Sequence, residues 1–201
     1  MRGSQVVFHK PETIVLVALG ANLPSVAGSP QDTLLASLRD LDGDGLSLKG
    51  VSNCYKTPCF PAGAGPDYIN AAASLTTSLD ADAILTRLHK IESSYGRTRD
   101  ERWGARGLDL DLLAYGDSIL PDRASYMHWH DLSPELQAKA APDRLVLPHP
   151  RIQDRGFVLV PLNDVAPDWV HPVHNLSVAT LLDNLGEDGR KDIEQIAWPA
   201  G

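Results

Sequence analysis

The chain has 201 residues, 43% of them hydrophobic and 22% charged, with 26 acidic against 18 basic side chains for a net charge of −8. That balance suits one soluble globular domain with a full core, and it excludes general binding to nucleic acid or to an anionic membrane surface. A phosphate site in such a chain has to be a local concentration of arginines. Cys54 and Cys59 lack a second Cys/His pair at zinc spacing and read as two reduced thiols of a cytosolic protein.

Residues 1–12 read as a flexible leader, and 13–201 as a single domain. The apolar run Ile14–Leu19 is too short for a signal segment and has Glu12 beside it, and no stretch approaches the ~20 apolar residues of a membrane helix. Thr13–Leu19, closed by Gly20, is expected to be a strand covered on both faces. Ser29-Pro30-Gln31-Asp32 is an N-cap, a proline at the first helical position and an acidic third position. Leu34, Leu35, Leu38 and Leu41 form the stripe of the helix that follows, and Asp42-Gly43-Asp44-Gly45 ends it.

Leu46–Tyr55 is expected to be a second strand. It runs into the Pro/Gly-rich loop Thr57–Pro66, long enough to wall a binding site. Tyr68–Thr77 is a third strand. A helix capped by Ser78 or Asp80 follows, burying Ile84, Leu85, Leu88 and Ile91 and ending near Gly96. Leu108–Tyr115 completes a β-α-β-β-α-β order, the order of an α+β ferredoxin-like sandwich with a mostly antiparallel sheet and helices packed on its faces. Residues 121–143 are mixed and polar, with a helix start at Ser133-Pro134-Glu135, and read as a surface insertion. His128 and His130 within it lack an evident third ligand for a metal. Gly156–Leu162 is expected to be a further strand, and Val178–Leu185 a short helix.

The chemistry concentrates between Arg97 and Leu113. Leu108-Asp109-Leu110-Asp111-Leu112 alternates strictly, so a strand there turns both carboxylates to one side and the leucines to the other. Such a pair is either a solvated face or the partial oxygen shell of a Mg²⁺ ion completed by water and substrate phosphates. Arg97, Arg99, Arg102 and Arg106 precede it within ten positions. Guanidinium groups grip phosphate oxygens bidentately and stay charged. Arginines beside paired acids describe a metal-nucleotide site better than either does separately.

Arg102-Trp103-Gly104-Ala105-Arg106-Gly107-Leu108-Asp109-Leu110-Asp111-Leu112-Leu113 resembles the signature of the 6-hydroxymethyl-7,8-dihydropterin pyrophosphokinases. Leu19–Leu23, Tyr55–Pro58, Asp67–Ala72, Ile91-Glu92 with Gly96-Arg97, and Pro148-His149-Pro150 with Arg155-Gly156-Phe157 resemble that family in order. The resemblance implies transfer of the terminal diphosphate of ATP to the pterin hydroxymethyl group with release of AMP, a step of folate biosynthesis. It implies two Mg²⁺ ions on Asp109 and Asp111, with Arg97 and Arg106 as catalytic partners. ATP would meet Leu85, His89, Glu92, Arg97, Arg99, Arg102, Leu112, His149 and Arg155. The pterin would meet Gly20, Thr57, Pro58, Phe60, Tyr68, Asn70, Trp103 and Phe157. A cytoplasmic monomer without nucleic-acid or membrane partners is the corresponding expectation. Ala21 stands where the family often has serine, Ala105 where proline is common, and His89 replaces a glutamine. Two other readings compete: a nucleotidyltransferase, which would release pyrophosphate instead of AMP, and a non-catalytic nucleotide or pterin binder.

Overall fold

The computed structural model describes residues 12–59, 63, 65–96, 107–133, 136 and 140–200. The leader, apart from Glu12, and the proposed helix start at Pro134-Glu135 lie outside the described residues.

Local signals set the first half of the chain. Strand β1 spans Thr13–Ala21 and helix α1 Pro30–Leu41. The Ser29 hydroxyl accepts from the Asp32 amide, and the Asp32 carboxylate accepts from the Ser29 amide, so two otherwise orphaned amides at the helix start are satisfied. Strand β4 spans Tyr68–Thr77 and helix α2 Ala81–Ser94. The cap of α2 is Asp80, whose carboxylate accepts from the Ala83 amide, and Gly96 takes φ +86° just past its end.

Strands β2 (Leu46–Val51), β3 (Cys54–Thr57), β5 (Asp109–Tyr115) and β8 (Glu194–Ile196) complete an antiparallel sheet of order β5-β1-β4-β3-β8, with β2 paired to the other half of β4. Helices α1 and α2 cover one face, burying Leu34, Leu38, Ile84 and Leu88 against Val15, Val17 and Leu19. Helices α4 (Gly156–Val165) and α5 (Val178–Asn184) cover the other, over Leu16, Ala72 and Leu113. The α+β sandwich expected from element order is the observed fold.

Three expectations need correction. Gly156–Leu162 is the first seven residues of α4, not a strand. A short, continuously apolar run satisfies either period, and here Val158, Leu159 and Leu162 bury as a helical face over the sheet. Leu46–Tyr55 is two strands. The break at Ser52-Asn53 is held by Ala72, whose amide donates to the Ser52 hydroxyl and whose carbonyl accepts from the Ser52 amide. On its outer side the Asp164 carboxylate accepts from the Asn53 amide and side chain. The segment 121–143 is more than a surface excursion. Its helix α3 (Arg123–His130) buries Tyr126 completely against His171 and His174. Those histidines lie within the small hairpin of β6 (Val170–His171) and β7 (Leu176–Ser177), His171 on β6 and His174 in its turn, which sequence reading did not anticipate.

Candidate active site

The central row of the sheet builds the site floor. Gly20 on β1 pairs with Asp109 on β5 at one side and with Asn70 on β4 at the other, and Asn70 in turn pairs with Tyr55 on β3. Residues paired across a sheet point to the same face. Asp109, Asn70 and Tyr55 therefore share one face, with the side-chain-free Gly20 as a gap between Asp109 and Asn70. In the next row of that face Asp111, Ala18 and Ala72 align. Leu108, Leu110 and Leu112 bury on the opposite face at 0%, 3% and 4% exposure, so alternation delivers the two half-exposed carboxylates as the sequence required.

This is the face covered by α4, and α4 anchors to it. The Tyr55 hydroxyl donates to Asp164 at 2.8 Å, tying the helix to β3. Tyr68 and Thr57 pair across β4 and β3, and the Asn70 amide donates to the Thr57 hydroxyl at 2.9 Å. The Thr57–Asn70 pair is thereby fixed at the start of the Pro/Gly-rich loop. Exposed Pro58 continues from it, and the Asn22 side chain donates to the Pro66 carbonyl at the loop's far end.

A β-bulge brings in the second loop. Leu16 pairs with Ala114 and Val17 with Leu112, which leaves Leu113 as the extra residue of β5. The freed Leu113 carbonyl accepts from the His149 amide at 2.8 Å, fastening the His149–Arg155 segment beside the aspartates. His149 Nδ1 accepts from the Arg151 amide at 3.2 Å, which assigns the ring proton to Nε2. Burial, and after it the Arg155 guanidinium, push the His149 pKa down to about 3, while Asp109 works in the opposite direction. The imidazole is thus neutral and has one N–H to donate. Burial also lowers the Arg155 pKa, with Asp111 and Asp109 opposing and Arg151 adding to the decrease. The Arg155 guanidinium lies 5.7 Å from the centre of the Phe157 ring, and Phe157 is 41% exposed at the start of α4.

The structure thus assembles Gly20, Thr57, Tyr68, Asn70, Asp109, Asp111, His149, Arg155 and Phe157 from four strands, one loop and one helix start. Leu112 stands apart, because its side chain belongs to the α1–α2 core. Leu85, His89 and Glu92 share one flank of α2. Leu85 and His89 are half-buried, whereas Glu92 is 2% exposed and accepts from the Leu110 amide at 2.8 Å. Phe60, Arg97, Arg99, Arg102, Trp103 and Arg106 lie outside the described residues. Sequence reading missed Arg151, which adds to the positive field on both His149 and Arg155 and pairs with Asp154 at 2.7 Å. Its signal was a basic residue two positions after His149.

Chemically, two carboxylates facing a half-buried guanidinium and a neutral imidazole can take a polyanion together with its cations. The half-exposed phenol of Tyr68 and the exposed ring of Phe157 offer flat apolar surface nearby. No group of three or more His, Cys, Asp or Glu arranged to hold a metal occurs among the described residues. No helix among them is long and apolar enough to cross a membrane.

A family model described as 7,8-dihydro-6-hydroxymethylpterin-pyrophosphokinase matches residues 16–167. The 2-amino-4-hydroxy-6-hydroxymethyldihydropteridine pyrophosphokinase of Synechocystis is 35% identical over 171 residues, covering 85% of this chain and 75% of that protein. The protein of the same description from Pseudomonas aeruginosa is 38% identical over 156 residues, covering 77% of this chain and 81% of its own. Among solved structures, wild-type Plasmodium falciparum HPPK-DHPS with pteroate superimposes with a TM-score of 0.66 at 13% identity, over 94% of this chain and 48% of that one. The wild-type structure described without a ligand gives 0.62 at 15% identity, over 94% and 49%. This chain therefore spans about half the length of those structures, and at such identities the likeness shows the fold alone.

Proposed function

The chain belongs to the 7,8-dihydro-6-hydroxymethylpterin-pyrophosphokinase family, and from that premise we propose that it transfers diphosphate from ATP to 6-hydroxymethyl-7,8-dihydropterin using two Mg²⁺ ions held by Asp109 and Asp111. The observation that carries the metal assignment is the pairing of Asp109 with Gly20 and Asp111 with Ala18, which turns both carboxylates onto the α4 face beside Arg155 and His149. Hard oxygen donors suit Mg²⁺, which one or two carboxylates hold while water and substrate phosphates fill its remaining positions. When bound there, Mg²⁺ would neutralise triphosphate charge and polarise the β-phosphoryl group.

The chain's own groups do the rest by position and charge. Arg155, half-buried and facing the aspartates, supplies a cation to phosphate oxygens. His149 donates its Nε2 proton as a neutral hydrogen bond and takes no part as a base, since its low pKa leaves it no proton affinity near neutrality. Thr57 and Asn70 offer directional polar contacts to the pterin, and Tyr68 and Phe157 offer its flat faces. Arg97 and Arg106 are assigned to the phosphates, with Arg99 and Arg102 beside them, Trp103 and Phe60 on the pterin side, and Leu85 and His89 along the nucleotide. A cytoplasmic monomer without nucleic-acid partners accords with the net charge of −8.

Asp109→Asn and Asp111→Asn test the metal assignment. Each should keep the melting temperature within a few degrees while turnover falls at least about a hundredfold, the equivalent of ~3 kcal/mol of lost charge stabilisation. Substantial Mg²⁺-dependent turnover in both variants would remove the aspartates from the metal site.

A further inference from the structure

We infer that Glu92 is a positioning residue, a strut from α2 that holds the aspartate-bearing half of β5 in register and acts on the metal site through that strand. The inference rests on the reading of Asp109 and Asp111 as metal ligands.

Strand β5 is the outer strand of the sheet, paired on one side with β1. Successive amides along a strand point to opposite sides. Those of Asp109 and Asp111 therefore face β1, while that of Leu110, between them, faces outward. An outward amide on an edge strand is either hydrated or claimed by a neighbour. Here it is claimed, because the Leu110 amide donates to Glu92 Oε1 at 2.8 Å inside the protein. Glu92 is 2% exposed, so this is a buried carboxylate whose direction is set by the helix that carries it. That helix is itself fixed by the Asp80 cap, by Leu88 and Ile91 in the core, and by the Tyr95 hydroxyl donating to Asp40 on α1 at 2.6 Å.

The need for a strut follows from the bulge at Leu113. Ladder hydrogen bonds beyond it, at Ala114 and Tyr115, do not fix the register of Asp109–Leu112. Four pairs to β1 and the burial of Leu108, Leu110 and Leu112 do so, and a one-residue slip would turn both aspartates into the α1–α2 core. The bond from Glu92 falls at the midpoint of the two ligands. Partners that orient metal ligands from behind typically change metal affinity or activity by about 10–100-fold when removed.

The test compares Glu92→Ala and Glu92→Gln with the unaltered chain. The readouts are the Mg²⁺ concentration for half-maximal rate, binding of α,β-methylene-ATP without Mg²⁺, and exchange of the Leu110 amide by NMR. In the alanine variant the half-maximal Mg²⁺ concentration should rise and kcat fall by about 10-fold or more. Leu110 should exchange faster, while metal-free analogue binding stays within about twofold. Glutamine keeps an acceptor and should recover most of the lost rate and of the Leu110 protection. Weakened metal-free analogue binding in both variants, with Leu110 exchange unchanged, would overturn the inference in favour of a direct nucleotide contact. A lowered melting temperature with an unchanged Mg²⁺ response would overturn it in favour of a purely structural role. Asp109→Asn is measured alongside. If that variant kept the normal Mg²⁺ response, the metal reading itself would fall, and the inference with it.

Discussion

Acidification should destabilise this protein through His171, and His171→Asn should remove that loss. The imidazole has no exposed surface, and its Nδ1 accepts from the amides of Val173 at 3.2 Å and His174 at 3.4 Å. The remaining proton therefore sits on Nε2, 3.3 Å from the buried Tyr126 hydroxyl. Protonating Nδ1 would set an N–H against two N–H donors. Burial, and then His174 and His130, push the His171 pKa down to about 3. The charged groups facing this cluster are Arg123, Asp131 and Asp154, and His174 is also shifted down, by burial first and His130 next.

Because the folded pKa lies below the unfolded value of about 6.5, stability is full above that value and declines as pH falls from 6.5 toward 3. At pH 5 the unfolded chain gains about 1.36 × 1.5, or roughly 2 kcal/mol, from binding this one proton. Asparagine places Oδ1 where Nδ1 was, keeping an acceptor for the two amides without a titratable ring. Urea unfolding at pH 7.5 and pH 5.0 is the assay. The variant should be less stable at pH 7.5 because it forfeits ring packing. The gap to the unaltered protein should then narrow by about 2 kcal/mol at pH 5.0. An equal loss on acidification in both proteins would refute the reasoning.

The same logic makes His149 silent: its ring resonances should not titrate between pH 5 and 8 by NMR, and a midpoint near 6.5 would contradict its placement beside Arg155. Gly156→Ala should lower the melting temperature by several degrees, because an added Cβ would collide with the Gly189 carbonyl oxygen and meet Ile193 at 3.0 Å. Since Gly156 sits between Arg155 and Phe157, its variant should also raise the KM for pterin; unchanged stability and KM would mean that the Gly189 segment yields freely.

Legibility followed the range of the forces. Helices α1 and α2 could be read because their signals are local: Ser29, Pro30 and Asp32 at one start, Asp80 at the other. Asp109 and Asp111 could be placed on one face because strand alternation needs no tertiary knowledge. Residues 156–165 could not, because an apolar run with Pro161 inside it satisfies helix and strand alike until the opposing sheet surface is known. Tyr126 lies in a segment whose composition is mixed and polar. Its burial depends on His171, 45 positions away, and no local pattern announces that contact. The bulge at Leu113 was equally hidden. It decides where His149 sits, and it arises from a mismatch between β1 and β5, not from the residues of either strand alone.

The central claim is tested most directly by ³¹P NMR of a reaction containing the full chain, ATP, 6-hydroxymethyl-7,8-dihydropterin and Mg²⁺. The account predicts AMP and a pterin diphosphate appearing in equal amounts, with neither formed when Mg²⁺ is chelated. Free pyrophosphate, or ADP with a pterin monophosphate, or no product from folded protein, would contradict it.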